Sequence, residues 1–501
     1  VTGSMEVNVG YEGFPNSGTQ REVVYNGSFF NGSIFPEFGY STSGELSSDQ
    51  QRKKYGLPQR DYTLPVQTDP KGRSTFLFTD DGYYADFKGT VSTAEDQIAI
   101  LPGYLKKEWV EDGRRYFRYE MNAPMQVFFN VTSAQYEVAR DTYTGPDGRE
   151  IKLEIYHYPT HTYNIDRFMK SIKHSIGYFT EEFGPYQYDQ MRILECPRYA
   201  GFALSFPNTV PYSESFGWTA NYSDPNKFDR AYWVTSHEVA HQWWGHQIAP
   251  SATRGSNQIS ESMAEYSALM VAREYYGEDA MQKFLKQELD QYLRSRANES
   301  KFEKTLLDND TQSYVWYQKG GLVLYALADY ISDDSLNIGF KQMINDFGMK
   351  SEPPYATSLD WYGYIKSVTP DSMQYYLEDS FENIVLYENK AILANVKEQD
   401  GKYEVTLEIE TDKIYYDGLG AILQNGEKAN LLEVGVFGED KVNEMGMDVK
   451  NPLLLKKVWL EPGTHTLTFT VDEMPDKAGI DPYNKMIDRI PDDNLISVEE
   501  E

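Results

Sequence analysis

The chain has 501 residues, a formal net charge of −30 at pH 7, 40% hydrophobic residues and 40 Tyr, 25 Phe and 8 Trp. That length exceeds what one core usually supports and predicts about three domains, while the aromatic content excludes wholesale disorder. The acidity excludes a phosphate-backbone surface unless one face is locally basic, and no basic cluster stands out, so nucleic acid is not an expected partner.

A single cysteine, Cys196, excludes an intramolecular disulfide and any multi-thiolate metal site, so metal ligands have to come from His, Asp or Glu. No apolar run is long enough to span a bilayer, and residues 1–10 have the features of neither a signal peptide nor a transit sequence. The chain opens without an initiator methionine on a strand-like stretch, 4–9, which reads as a piece of a longer protein and leaves the compartment open. Sequons such as Asn130-Val-Thr matter only where secreted proteins are glycosylated.

Up to about residue 145, short aromatic and β-branched runs at 22–30, 74–79, 116–121 and 125–131, separated by Gly, Pro and Asp turns, predict a β-rich domain. A strand over 150–156, an amphipathic helix over 165–183 ended by Gly184-Pro185, and a strand over 191–195 mark a switch to α/β. Helices are then expected over 231–246, 259–276, 279–296, 316–331, 335–347 and 358–367, with Gly277 closing the second of them. After about residue 388 alternation returns, as in Tyr403-Glu-Val-Thr-Leu-Glu-Ile, and predicts a C-terminal β-sandwich. The expected fold class is multidomain α+β, with units at 1–145, 146–387 and 388–501.

His237-Glu-Val-Ala-His241 lies inside a predicted helix, where residues four apart stand about 40° apart and can present two imidazoles to one ion. Glu238 is placed to reach a water on that ion. A catalytic zinc takes three protein ligands and keeps its fourth position for water. The next helix offers two carboxylates, Glu261 and Glu265. Glu261, at the helix start, is the better placed for the ion, and Glu265, one turn on, for a supporting hydrogen bond to a ligand. His246 points about 140° away from His241 on an ideal helix and is not an expected ligand. Read without the downstream acids, the motif also fits a surface histidine pair that binds nothing.

Three separated pieces resemble the M1 aminopeptidases. His237-Glu-Val-Ala-His241-Gln-Trp-Trp-Gly is similar to that family's zinc helix, Glu261-Ser-Met-Ala-Glu-Tyr to the segment with its third ligand, and Tyr317-Gln-Lys-Gly320 to its Tyr-x-Lys-Gly segment. The resemblance implies a thermolysin-like catalytic domain, zinc as cofactor, a peptide substrate, Glu238 as base and Tyr317 as the hydroxyl that stabilises the oxyanion. Read alone, Tyr317 would be an aromatic on a buried helix face. The stretch Ser205-Phe-Pro-Asn-Thr-Val-Pro-Tyr-Ser-Glu214 and the tail Gly479-Ile-Asp-Pro-Tyr-Asn-Lys resemble M1-type domains fused to bacterial ABC-transporter permease segments, which implies attachment to a larger membrane protein.

Two departures stand out. Nineteen residues separate His241 from Glu261 where the family usually has eighteen, and a bulge in the loop around Gly255 is the expected remedy. Where the family's substrate strand, Gly-x-Met-Glu-Asn, carries a glutamate for the substrate's α-amine, the register set by Tyr212-Ser-Glu214 places Ser205. Ala203, Leu204 and Ser205 are then the candidate substrate-binding edge, with ordinary packing as the competing reading. The competing functions are a zinc endopeptidase or non-peptide hydrolase, and an interaction or regulatory domain with structural zinc.

Overall fold

The computed structural model describes residues 23–24, 27–31, 45–46, 48–58, 63–78, 84–215, 217–300 and 302–500; the strand expected over 4–9 lies outside them. The architecture is mixed: a β-rich N-terminal region, a helical middle and C-terminal sheets.

In the N-terminal region the strands Lys88–Ala94, Arg114–Glu120 and Tyr104–Glu111 form an antiparallel sheet, and Gly27–Asn31 and Ile98–Ile100 flank Asn130–Ala134 in a second. The run expected as one strand over 125–131 divides into Met125–Gln126, paired with Tyr84–Ala85, and Asn130–Ala134. The strand expected from residue 74 does not form over its described part. Gly72–Ser74 is a 3₁₀ turn, and Phe76 makes a single bridge to Ser251 while its ring stacks on Tyr355 with centroids 4.1 Å apart. The aromatic side chain plugs a junction between regions, so packing overrides a β-prone pattern here.

The sheet that positions the site has the order Glu137–Thr144, Glu150–His157, Gln190–Cys196, Thr209–Ser213. Its first pair is antiparallel and the other two are parallel, and Ile165–Glu182 forms the crossover between Glu150–His157 and Gln190–Cys196. Every residue of Gln190–Cys196 is buried, as expected of a strand covered on both faces. Residues 202–206 then double back antiparallel to Thr209–Ser213 through bridges Ala203–Tyr212 and Phe206–Thr209, and so form the outer rim.

Arg230–Ala240 is buried almost all round, between Ile165–Glu182 and Met263–Tyr276. Small residues allow the close approach: Ser171 and Ser175 each meet Ser236 at 3.0 Å, and the Ser171 hydroxyl donates to the Tyr232 carbonyl at 2.7 Å. At the C-terminal end two sheets, one built on Ile384–Gln399 and Lys402–Tyr416 and the other on Asn430–Val442 and Asp448–Leu460, share one core. Lys485 ties this region to the helical one, with Nζ 3.0 Å from Asp329 and 3.1 Å from Glu433.

Candidate active site

The helix expected to run to residue 246 stops at Ala240, so His237 sits in its last turn and His241 is its C-terminal cap, still in right-handed helical geometry. Beyond it the chain folds into tight turns: His246 N–H donates to the His241 carbonyl, Gly245 adopts φ +127°, and buried Trp243 and Trp244 anchor the loop by donating to the Gly184 carbonyl and to Ser267 Oγ. Asp229 caps the other end of the helix through the Tyr232 N–H.

Gly255 is a tight turn at φ +74° where a Cβ would stand 2.0 Å from the Leu307 carbonyl oxygen. Glu261 itself is carried on a π turn over Gln258–Ser262 that runs into Met263–Tyr276. Tyr317 also sits on a π turn, Val315–Lys319, followed by Gly320–Ile331. The two turns press together at one point: Gly320 lies where a Cβ would come within 2.0 Å of Ser262 Oγ, and that hydroxyl donates to the Trp316 carbonyl at 2.6 Å. Gly320 thus sets how near Tyr317 comes to Glu261.

His237, His241 and Glu261 converge as one cluster able to hold a metal ion. His237 Nε2 and His241 Nε2 are 3.0 Å apart, and Glu261 Oε2 is 3.4 Å from the first and 3.3 Å from the second. A tetrahedral ion with bonds of about 2.0–2.1 Å sets its donors about 3.3 Å apart, so the three atoms already describe one face of such a shell. Of the other ring nitrogens, that of His241 is hydrogen-bonded and that of His237 has a carboxylate beside it. His241 Nδ1 lies 3.0 Å from the Trp244 carbonyl and 3.2 Å from Ser260 Oγ, and His237 Nδ1 faces Glu265 Oε1 at 3.3 Å. Protons on both Nδ1 atoms leave both Nε2 lone pairs for a metal. Buried Glu261 Oε2 and Glu238 Oε2 have no hydrogen-bond partner among the described residues, as a site shaped for an ion and its water requires.

The electrostatics agree. Burial alone would lower the imidazole pKa values, but Glu265 and Glu261 beside His237, and Glu261 beside His241, raise both above 6.5. Burial pushes Glu261 up, yet the two histidines outweigh it and hold its carboxyl far below 4.5. Glu238 is raised by burial, with the histidines opposing and Glu261 and Glu265 assisting, in the direction that suits a general base. The Tyr317 ring lies 5.8 Å from that of His237, its hydroxyl bonds Glu261, and burial together with Glu261 and Glu238 raises its pKa so that it stays a neutral donor.

Ser205 is buried. Its hydroxyl accepts from Gln242 Nε2 at 2.7 Å, and its carbonyl stands 3.1 Å from His246 Nε2, so the rim and the loop after His241 are bonded together. Leu204 N–H and Phe206 N–H are used inward, on the Pro211 and Thr209 carbonyls, while Ala203 makes no main-chain hydrogen bond among the described residues. His246, beyond the helix, is held neutral by burial, which lowers its pKa to about 3. Two features were not anticipated from sequence: the Ser262–Gly320 junction, for which the Gly of Tyr-Gln-Lys-Gly was the visible sign, and buried Glu288, which approaches this cluster from Gln282–Ala297.

Residues 163–355 match the model of the Peptidase family M1 domain, and the matched segment contains the metal-ligand cluster, Glu238 and Tyr317. Tricorn protease-interacting factor F2 from Thermoplasma volcanium is 24% identical over 272 residues, covering 53% of this chain and 34% of that protein. Aminopeptidase A of Legionella pneumophila, solved in complex with aspartic acid, shares the fold at a TM-score of 0.53 and 14% identity, over 89% of this chain and 49% of that one. An M1 zinc metallopeptidase from Deinococcus radiodurans aligns at a TM-score of 0.47 and 17% identity, over 60% of this chain and 65% of that one. The chain spans about a third of the curated relative and about half of the Legionella enzyme.

Proposed function

We propose that the chain is a zinc-dependent peptidase of M1 aminopeptidase type, with His237, His241 and Glu261 as ligands, Glu238 as base and Tyr317 as oxyanion donor. The observation that carries this is the three-donor face with 3.0, 3.3 and 3.4 Å edges beside a buried, unpartnered Glu238 oxygen. Bound there, zinc would polarise the scissile carbonyl and acidify water.

Glu238 takes the proton of the attacking water and returns it to the departing amine. Tyr317 swings its hydrogen bond from Glu261 to the carbonyl oxygen as charge grows there. Glu265 holds His237 in the tautomer a metal needs, and the Trp244 carbonyl does the same for His241. Substrate main chain lies along Ala203, Leu204 and Ser205, where the free peptide groups of Ala203 extend the sheet outward.

The catalytic unit is 146–387, between β units at 1–145 and 388–501, with the strand Glu137–Thr144 joining its sheet from before the boundary. Among the described residues no helix is long and apolar enough to cross a membrane, so attachment to a membrane protein would come through segments outside them or a partner. Glu238→Gln tests the reading: the variant keeps zinc and loses turnover by roughly 10²–10⁴-fold. Loss of zinc, or retained turnover, would remove Glu238 from the chemistry.

A further inference from the structure

The loop that leads into Arg230–Ala240 and a hairpin of the C-terminal sheets face each other across an open cavity of about 310 Å³. That volume lies at the small end of ligand pockets, which run from roughly 300 to 1,000 Å³. One wall comes from residues 222–229 with Tyr275 and Tyr276, the other from Met445 and Met447. The walls are fastened together. Asn226 and Asp448 exchange two hydrogen bonds, Nδ2 donating to Asp448 Oδ2 at 2.7 Å and the Asp448 N–H donating to Asn226 Oδ1 at 2.8 Å. The hairpin tip is fixed as well, since Asn443 Oδ1 accepts from the Met445 and Met447 N–H groups at 3.0 Å each. The cavity is therefore formed before anything enters it.

The floor of the cavity is already satisfied. Buried Asp229 accepts from the Tyr232 N–H at 3.0 Å, from the Tyr276 hydroxyl at 2.9 Å and from Arg167, whose guanidinium also lies 5.0 Å from the centre of the Tyr222 ring. The helix N-terminus is thus capped from within the chain and is not the binding group. At the exposed mouth the charges stand differently. Asp224 gives one oxygen to the Asn226 N–H at 2.9 Å, and neither Asp224 nor Lys227 is ion-paired among the described residues. Half-buried Lys283 backs this wall, donating to the Pro225 carbonyl at 3.3 Å with its ammonium 5.3 Å from the centre of the Tyr276 ring.

We infer that the cavity binds a free α-amino acid with an apolar or aromatic side chain. Its ammonium meets Asp224, its carboxylate meets Lys227 and Arg167, and its side chain lies among the tyrosine rings and the two thioethers. A simple anion would face Asp224 as a like charge, and a simple cation would face Lys227 and Arg167. A ligand that carries both signs on one carbon satisfies both. None of His237, His241 and Glu261 lines this cavity, so the inference holds whether or not the metal cluster hydrolyses peptides.

The test uses zinc-loaded protein carrying carbon-13 at the methionine methyls, titrated with L-phenylalanine, L-phenylalaninamide and N-acetyl-L-phenylalanine. Met445→Leu and Met447→Leu assign the two reporter signals. Free phenylalanine is expected to shift them saturably with a Kd in the millimolar range, because the charges at the mouth are open to water. The amide lacks the carboxylate and the acetyl derivative lacks the ammonium, so each should bind roughly 3- to 10-fold more weakly, between the effect of an exposed ion pair and that of a charge-assisted hydrogen bond. Lys227→Gln should reduce the first difference and Asp224→Asn the second. Neither signal moving at concentrations that saturate a millimolar site, or equal binding of all three compounds, would overturn the inference. So would shifts confined to other methionines such as Met263, two residues from Glu261, which would put the amino acid at the metal cluster instead.

Discussion

Gly320→Ala places a methyl group where Ser262 already stands. The new Cβ would lie 2.0 Å from Ser262 Oγ, 2.5 Å from its Cβ and 3.3 Å from its Cα. Rotating the hydroxyl relieves the first clash at the expense of its bond to the Trp316 carbonyl, but Ser262 Cβ is fixed to the backbone and cannot rotate away. Ordinary carbon–carbon contact is about 3.5–4.0 Å, so the two π turns have to separate by about 1 Å. Overpacking of this kind costs about 1–3 kcal/mol, and alanine's better helix propensity returns up to about 1 kcal/mol, leaving a net loss of roughly 0–3 kcal/mol.

Catalysis is the more sensitive readout, because Glu261 and Tyr317 ride on the separated turns and a misplacement of about 1 Å can cost on the order of 10²-fold. The variant is therefore expected to fold and to fall about 10²-fold in kcat. Ser262→Gly in the same chain removes both clashing atoms. Measured as a double-mutant cycle on kcat/KM, with zinc content and denaturant stability alongside, it should recover most of the loss. Unchanged turnover in Gly320→Ala, or a double variant no better than the single one, would refute the reasoning.

Glu261→Gln should abolish tight zinc binding, whereas Glu265→Gln should weaken it about 10–100-fold, and equal losses in a competition titration would reject that division of roles. Tyr317→Phe should lower kcat with little change in KM or zinc content, and an unchanged kcat would remove the hydroxyl from the mechanism. In metal-free protein, His237 and His241 have folded pKa values above 6.5, so their contribution to stability is complete below about pH 6.5 and is lost as pH rises through the folded values. Glu261, depressed below 4.5, contributes above that pH and loses its contribution as pH falls toward the folded value. The cluster thus favours the metal-free fold most between about pH 4.5 and 6.5, and the rise in melting temperature on adding zinc should grow from pH 6 to pH 8. A rise that shrinks over that range would contradict the assigned ligands.

The chemistry was legible because it is local. Two histidines four apart on a helix, an adjacent glutamate and an acidic segment at the start of the next helix need no tertiary knowledge to be grouped, and the strand around 150–156 carried the alternation of Ile151, Leu153 and Ile155 with charged residues. The exit of the helix at Ala240 was not legible, since Trp243 and Trp244 continue an apolar pattern and it is their burial in the loop that bends the chain. The π turn that carries Glu261 was not legible either, since no residue pattern over 258–262 distinguishes it from an ordinary helix start, and Gly255 showed only as a residue free to adopt positive φ, not as one pressed against Leu307. Ser205 read as a lost anchor from its position alone. Its bonds to Gln242 and His246 depend on a rim and a loop 37 and 41 residues apart, which no periodicity encodes.

The central claim is tested most directly by titrating zinc into chelator-stripped protein while following hydrolysis of a peptide. Activity should rise in proportion to zinc and break at about one equivalent. Hydrolysis in the absence of metal, or zinc uptake to one equivalent with no hydrolysis of any peptide, would contradict it.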